Sequence, residues 1–346
     1  MTTLSRRSAL LGLLASTALT RTSWAQTRKL TDSVGRSVEA PARATRVMAA
    51  GPPASILLYV LAPDAMVGWV PPPLANAKPF LLPGVRDLPS SGRLTGRGSD
   101  IPEVESIARQ KPDLIVDFGS IAANYVTLAD KVQDAAHVPY ALIDGALEKT
   151  AAALRLAGDL LGRRERAERL ALYAEQTLAK VEAVLKEIPA GKRLKVYVAR
   201  GPDATLTAVA GSGLTEVVEK AGGINVAQGK SERGGALTVT IEQVAAWNPD
   251  FVIAFDRAAW QALTKPDWRA VPAVDAKRVF AAPTLPWDWL GEPPSVNRLL
   301  GLRWMLALLY PDVAKLDMKV EARTFHTLFY GVTPSDGDLE KLLQDA

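Results

Sequence analysis

Arginine and tryptophan are the residues of this 346-residue chain best suited to act on a bound compound. Arg93, Arg97, Arg200, Arg233 and Arg257 all fall in loops beside apolar runs. Trp69, Trp287 and Trp289 stand next to prolines, in Trp69-Val-Pro-Pro-Pro and Leu-Pro-Trp287-Asp-Trp289. A guanidinium offers a planar fork that pairs bidentately with carboxylates or catecholates, and an indole covers flat apolar or aromatic surface. Asn124 and Tyr125, beyond another apolar run, add a polar edge. Such a set would meet the demands of an anionic metal chelate with aromatic arms. Taken one at a time the residues are ordinary, because loop arginines are usually solvated and tryptophans beside proline usually pack.

Other chemistries are poorly served. There are two histidines, His137 and His326, and no cysteine, so no clustered donor set for a bare transition metal is expected. A metal already held in a chelate needs no protein ligands, and no cofactor is expected. The chain has no G-x-S-x-G elbow and neither histidine has a suggestive setting, which speaks against a hydrolase and against enzymatic activity generally. Ala210-Gly-Ser-Gly213 precedes a helical run and is suited to a turn, but it lacks the P-loop lysine and the full dinucleotide fingerprint.

The elements that must position these loops contain an internal duplication. Glu105-Ser-Ile-Ala-Arg-Gln-Lys-Pro112-Asp113-Leu-Ile-Val-Asp-Phe118 matches Glu242-Gln-Val-Ala-Ala-Trp-Asn-Pro249-Asp250-Phe-Val-Ile-Ala-Phe255. Each copy reads as a short amphipathic helix, a Pro-Asp break and a strand buried on both faces, as parallel strands are. Further strands are expected over 45–50, 65–70, 140–143, 194–199, 205–210 and 278–282. In doubly wound sheets ligands lie beyond the carboxyl ends of the strands, which is where the arginine and tryptophan loops fall. Between the halves, residues 148–188 form one proline-free helical pattern. Unbroken, it would extend roughly 60 Å; Gly158 and Gly162 are the places where it could bend or break.

The first residues read as an export leader. Arg6 and Arg7 precede an apolar stretch from Ala9 to Leu19, and Ser23-Trp-Ala25 is a small-x-small cleavage site. Ser5-Arg6-Arg7 is also compatible with the twin-arginine route. The sequence carries 41 Lys+Arg against 37 Asp+Glu, but three of those arginines would leave with the leader, so nothing points to nucleic acid. Without cysteine there is neither a disulfide nor a site for N-terminal lipidation, and a periplasmic monomer that is not lipidated is expected.

With Leu285-Pro-Trp-Asp-Trp289, Pro293-Pro-Ser-Val-Asn-Arg-Leu-Leu-Gly-Leu-Arg-Trp304 and Phe325-His-Thr-Leu-Phe-Tyr330-Gly, these features resemble the periplasmic solute-binding proteins of iron-siderophore, haem and cobalamin ABC importers. The resemblance spans about residues 30–345. It implies an α/β fold of two doubly wound lobes with mainly parallel sheets joined by one long α-helix. The expected division is a leader at 1–25, an N-terminal lobe at 26–147, a linker helix at 148–188 and a C-terminal lobe at 189–346. It also implies that Glu105 and Glu242, one per lobe, meet arginines of an ABC permease. The cargo it suggests is an anionic iron chelate such as a siderophore complex; cobalamin, haem or a small oxyanion are alternatives, and a periplasmic hydrolase is the distant one.

Overall fold

A computed structural model describes residues 27–95, 104–229 and 235–344. The expected leader, Arg97 and Arg233 lie outside the described residues. Two separate parallel sheets are present, one in each half. The first has the order Val47–Ala49, Leu114–Gly119, Tyr140–Asp144. The second has the order Val279–Ala281, Phe251–Ala254, Lys195–Ala199, Ile224–Asn225. Antiparallel pairs flank them at Thr27–Thr31 with Ser37–Pro41 and at Leu206–Ala208 with Ala236–Thr238. The expected strand at 65–70 is not regular. Val67 donates to Val47 O at 3.1 Å while Trp69 donates to Pro89 O at 2.9 Å, so the run serves two neighbours and forms a ladder with neither.

Both copies of the duplicated segment fold alike. Helix Val104–Gln110 leads to strand Leu114–Gly119, and helix Ile241–Trp247 leads to strand Phe251–Ala254. The helices end at equivalent left-handed residues, Lys111 and Asn248, each with φ of 47°. The aspartate after each proline then clamps the start of the adjacent strand. Asp113 Oδ2 accepts from the Thr45 and Arg46 amides at 2.8 and 3.1 Å, and Asp250 Oδ2 accepts from the Lys195 amide at 2.7 Å. These bonds give the Pro-Asp signature a physical role: it sets the offset between central strand and neighbour.

The single linker helix expected over 148–188 is corrected to a helical hairpin. Helices Thr150–Leu161 and Arg164–Glu187 are separated by Gly162, whose φ is +68°. A Cβ at Gly162 would come within 2.5 Å of Ala42 O, and one at Gly158 would meet Ala167 Cβ at 2.2 Å. The two glycines let the chain reverse and the helices touch. Thr150–Leu161 thus packs in the first lobe, and the connection proper is the 24-residue helix Arg164–Glu187, about 36 Å long.

Strand alternation divides the interior. Leu114, Val116 and Phe118 join Val196, Val198 and Ile253 in one continuous core that also takes in Leu170, Tyr173 and Val181 of the connecting helix and Leu299–Leu302. Ile115 and Tyr140 face a satellite core in the first lobe, and Tyr197 and Val252 face one in the second. The lobes therefore share a hydrophobic interior. A polar tie crosses the same seam. Arg298, 2% exposed, pairs with Glu216 and donates to Gly145 O at 2.6 Å, while Glu216 Oε1 accepts from the Leu147 amide at 3.3 Å. Replacing Arg298 leaves the part-buried Glu216 without its cation and the Gly145 carbonyl without its donor. Arg298→Ala is expected to lower the unfolding free energy by about 2–3 kcal/mol in urea titrations, and pairing it with Glu216→Gln should recover part of that loss.

Candidate functional site

Where the carboxyl ends of the two parallel sheets face each other lies a cavity of about 440 Å³. The first lobe contributes Ile56 from the helix that follows strand Val47–Ala49, and Trp69 with the Pro71–Leu74 rim. The second contributes Phe255–Arg257, which follow strand Phe251–Ala254, and the 284–293 loop that follows strand Val279–Ala281. Cis peptides precede Pro71, Pro286 and Pro293, all in the wall.

The floor is aromatic and crosses the lobe seam. Trp287 lies 5.7 Å from Tyr59, 5.8 Å from Trp69 and 5.1 Å from Tyr330, centroid to centroid, in tilted and edge-on contacts. Hydrogen bonds fix the rings: Trp69 Nε1 donates to Val85 O at 2.7 Å and Tyr59 Oη to Tyr330 O at 2.6 Å. Burial pushes the Tyr59 hydroxyl up to about 12, so it remains a neutral donor. Trp69 and Trp287 line the cavity, the first almost wholly buried and the second half-buried, with the buried Tyr59 and Tyr330 packed behind them; Leu74 at the rim is 73% exposed.

Among the described residues four charged ones line the wall, and three of them are at least partly engaged. Asp256 caps the helix Arg257–Leu263, its Oδ1 accepting from the Ala259 amide at 2.8 Å and its Oδ2 from the Gly201 amide at 2.9 Å. Glu292 Oε2 accepts from Arg200 at 2.6 Å. Asp288 Oδ1 accepts from the amides of Leu290, Gly291 and Glu292 at 2.8, 2.7 and 3.2 Å. Arg257 is exposed and has no ion-pair partner among the described residues.

The arginine-and-tryptophan cleft read from the sequence is therefore only partly assembled. Trp69, Arg257 and Trp287 come together in the wall. Arg200 stands behind it: its guanidinium lies 4.5 Å from the Phe255 ring centre and is committed to Glu292. Trp289 is corrected from a ligand contact to core, since it is 0% exposed and its Nε1 donates to Leu285 O at 2.9 Å. Alternation in the loop turns one tryptophan to the cavity and the other inward. Arg93, half-buried, precedes Leu94 and Thr95, whose amides reach Ala50 O at 2.7 and 3.0 Å; it does not line the cavity. Asn124 and Tyr125, on the first turn of helix Ala123–Ala136, also lie outside the wall. Sequence reasoning passed over Phe255, Asp256, Asp288 and Glu292. Asp288 sits between the two tryptophans it had singled out, and that position was the available signal.

Neither histidine reaches the cavity. His137 ends helix Ala123–Ala136 in a left-handed conformation, and His326 is 0% exposed against Phe80, Phe325 and Tyr330. Burial drops the His326 imidazole to about 3, so it is neutral. Among the described residues no group of three or more His, Cys, Asp or Glu could hold a metal ion, and no helix is long and apolar enough to cross a membrane.

Two parallel α/β lobes with a cavity between their strand ends define a two-lobed solute-binding protein. The periplasmic binding protein family signature matches residues 87–284, and the chain belongs to that family. No curated protein sequence matches it. Among solved structures, an ABC transporter solute binding protein from Sulfurospirillum deleyianum DSM 6946 is similar, with TM-score 0.84 and 26% identity over 92% of this chain and 99% of that one. The molybdate-bound periplasmic binding protein MolA of Haemophilus influenzae aligns with TM-score 0.67 and 22% identity, over 89% of this chain and 99% of its own. Helicobacter pylori CeuE with Ni(II) bound aligns with TM-score 0.67 and 14% identity, over 91% and 99% respectively. The family is one of non-enzymatic proteins that bind small molecules and cognate ABC permeases.

Away from the cavity, Asp117 of strand Leu114–Gly119 is buried against Tyr140 Oη at 3.2 Å and Thr95 Oγ1 at 3.4 Å. Desolvation pushes its carboxyl from 3.8 up to about 6 despite those two hydrogen bonds. The folded protein thus holds this proton to higher pH than the unfolded chain does. Its contribution is most favourable below about pH 4 and is lost as pH rises through 6. Relative to the parent, Asp117→Asn is expected to gain about 2–3 kcal/mol of stability on going from pH 4 to pH 7, measured by urea unfolding at both values.

Proposed function

We propose that this protein is the periplasmic substrate-binding component of an ABC importer that captures a metal chelate, of the iron-siderophore kind, in the inter-lobe cavity. The observation that carries this reading is the wall itself: an indole and proline-rich apolar surface with one exposed arginine, Arg257, at the start of a helix. A chelate wraps its metal in organic arms, and those arms suit an apolar, aromatic bed, while its net charge suits a guanidinium. A bare oxyanion such as the molybdate of MolA would call for several converging donors, and among the described residues the wall offers a single free cation beside three carboxylates. Haem would want an axial histidine or tyrosine, and neither histidine nor Tyr125 lines the cavity. The Ni(II) held by CeuE is consistent with metal cargo on this fold.

Delivery is assigned to Glu105 and Glu242, both exposed near the first turns of the twin helices Val104–Gln110 and Ile241–Trp247. A hydrogen bond to Thr240 and one to its own backbone amide hold Glu242 below the usual carboxylate range, so it stays charged for an arginine partner. The export leader and the monomeric state belong to the same reading.

Protein purified from its own periplasm is expected to carry a metal-containing small molecule in native mass spectrometry, and Trp287→Ala should lose it. A trapped metal-free compound would overturn the chelate assignment. Purified ferric chelate at a hundredfold excess over its Kd should stabilise the protein by about 2.7 kcal/mol. Glu105→Ala combined with Glu242→Ala should abolish uptake by cells while leaving binding intact; normal uptake would reject the docking assignment.

A further inference from the structure

Asp288 is unusual among the carboxylates of the cavity wall in how its two oxygens are spent. It is 8% exposed, and Oδ1 takes three backbone amides, from Leu290, Gly291 and Glu292. Asn297 Nδ2 donates to the Asp288 carbonyl and also reaches Pro293 O at 3.1 Å, which fixes the loop that carries it. Oδ2 is buried and has no hydrogen-bond partner. The other acids differ. Asp256 uses both oxygens on the Ala259 and Gly201 amides, and Glu292 is ion-paired with Arg200. A carboxylate oxygen shielded from water and lacking a donor is a costly arrangement, and native structures keep such groups where a ligand or a proton completes them.

We propose that Asp288 is a specificity residue whose Oδ2 accepts a hydrogen bond from an N–H, O–H or ammonium group of the cargo, while an anionic or metal-bearing face of the same molecule meets Arg257. This rests on the reading of the cavity as the cargo site and adds a requirement to it: the cargo is bipolar, with a donor at one end. The neighbouring charges favour the assignment. Asp256 lines the same wall and the charge of Glu292 is offset by Arg200, so it is the field of Asp256 that favours a donor or cation at Asp288 over a second anionic group. Of the cations nearby, Arg257 is exposed at the opening of its helix and Arg200 is held by Glu292, and no hydrogen bond joins either to Asp288. Burial, with a smaller push from Glu292, lifts the Asp288 carboxyl to about 7 against the pull of its three amides. An unmet acceptor of this kind gains most from a ligand donor once it is ionised.

The test uses aromatic fragments in place of the unidentified cargo, at pH 8. The probes are 3-phenylpropylammonium, its neutral isostere butylbenzene and the carboxylate 4-phenylbutanoate, with binding followed by tryptophan fluorescence and ligand-observed NMR. Wild-type protein should bind the ammonium about tenfold more tightly than butylbenzene. Asp288→Asn, which keeps an oxygen for the three amides, should erase that preference and leave carboxylate binding undiminished. Equal affinity of wild type for the ammonium and butylbenzene overturns the proposal whether or not the variant folds, as does an ammonium preference that survives Asp288→Asn. Carboxylate binding doubles as the folding control, since it depends on Arg257 and the indole floor. Protein that holds native metal-chelate cargo but fails the fragment test would refute the role of Asp288 alone. Protein that passes the fragment test but holds no such cargo would refute the transport reading alone.

Discussion

The buried ion pair between Arg298 and Glu216 is the constraint to which the rest of the molecule conforms. It joins a helix of the second lobe, Arg298–Leu309, to Gly145 and Leu147 at the end of the first lobe's sheet. Desolvation lowers the affinity of the Arg298 guanidinium for its proton, and Glu216 opposes that loss. A desolvated pair of this kind adds little net stability over an apolar substitute, but it tolerates only one geometry. With the shared core and the helix Arg164–Glu187, it makes the seam between lobes a packed interface. A seam packed in this way favours small adjustments of the lobes over wide hinge closure.

Within that frame, the duplicated Pro-Asp element does the repeated local work. Asp113 and Asp250 lock the first strand of each lobe against its central strand, which brings the strand ends, and hence the ligand loops, to a common level. The loops can then differ freely. The first lobe supplies Trp69 and the proline and leucine of the rim, and the second supplies Trp287 and, among the described residues, all four charged residues of the wall. An asymmetric site on a symmetric scaffold is what separate evolution of loops on a fixed sheet would produce.

The two lobes were legible in the sequence because burial on both faces imposes continuous apolar runs, and because the repeated Glu…Pro-Asp spacing survives in both copies. The turn at Gly162 was harder to see. Helical periodicity continues straight through it, and only the approach of Gly158 to Ala167 and of Gly162 to Ala42 shows why the chain reverses there. The wall residues were legible by loop but not by direction: Trp287 and Trp289 carry the same sequence signal and end on opposite sides of one loop. Arg200 was misjudged for a related reason. Its distant partner Glu292 lies 92 positions away, and no local pattern announces that pairing.

The aromatic floor bears on how the two lobes are held at the cavity. Tyr59, Trp69, Trp287 and Tyr330 belong to different parts of the chain yet form one group of tilted and edge-on rings across the seam, with Tyr59 bonded to the Tyr330 carbonyl. Prising the lobes apart would break these ring contacts along with the hydrogen bonds that Arg298 and Glu216 make to Gly145 and Leu147. The solvent-facing lip of the cavity is then the short stretch formed by Pro71, Pro72 and the exposed Leu74, which stands apart from the packed bulk of either half.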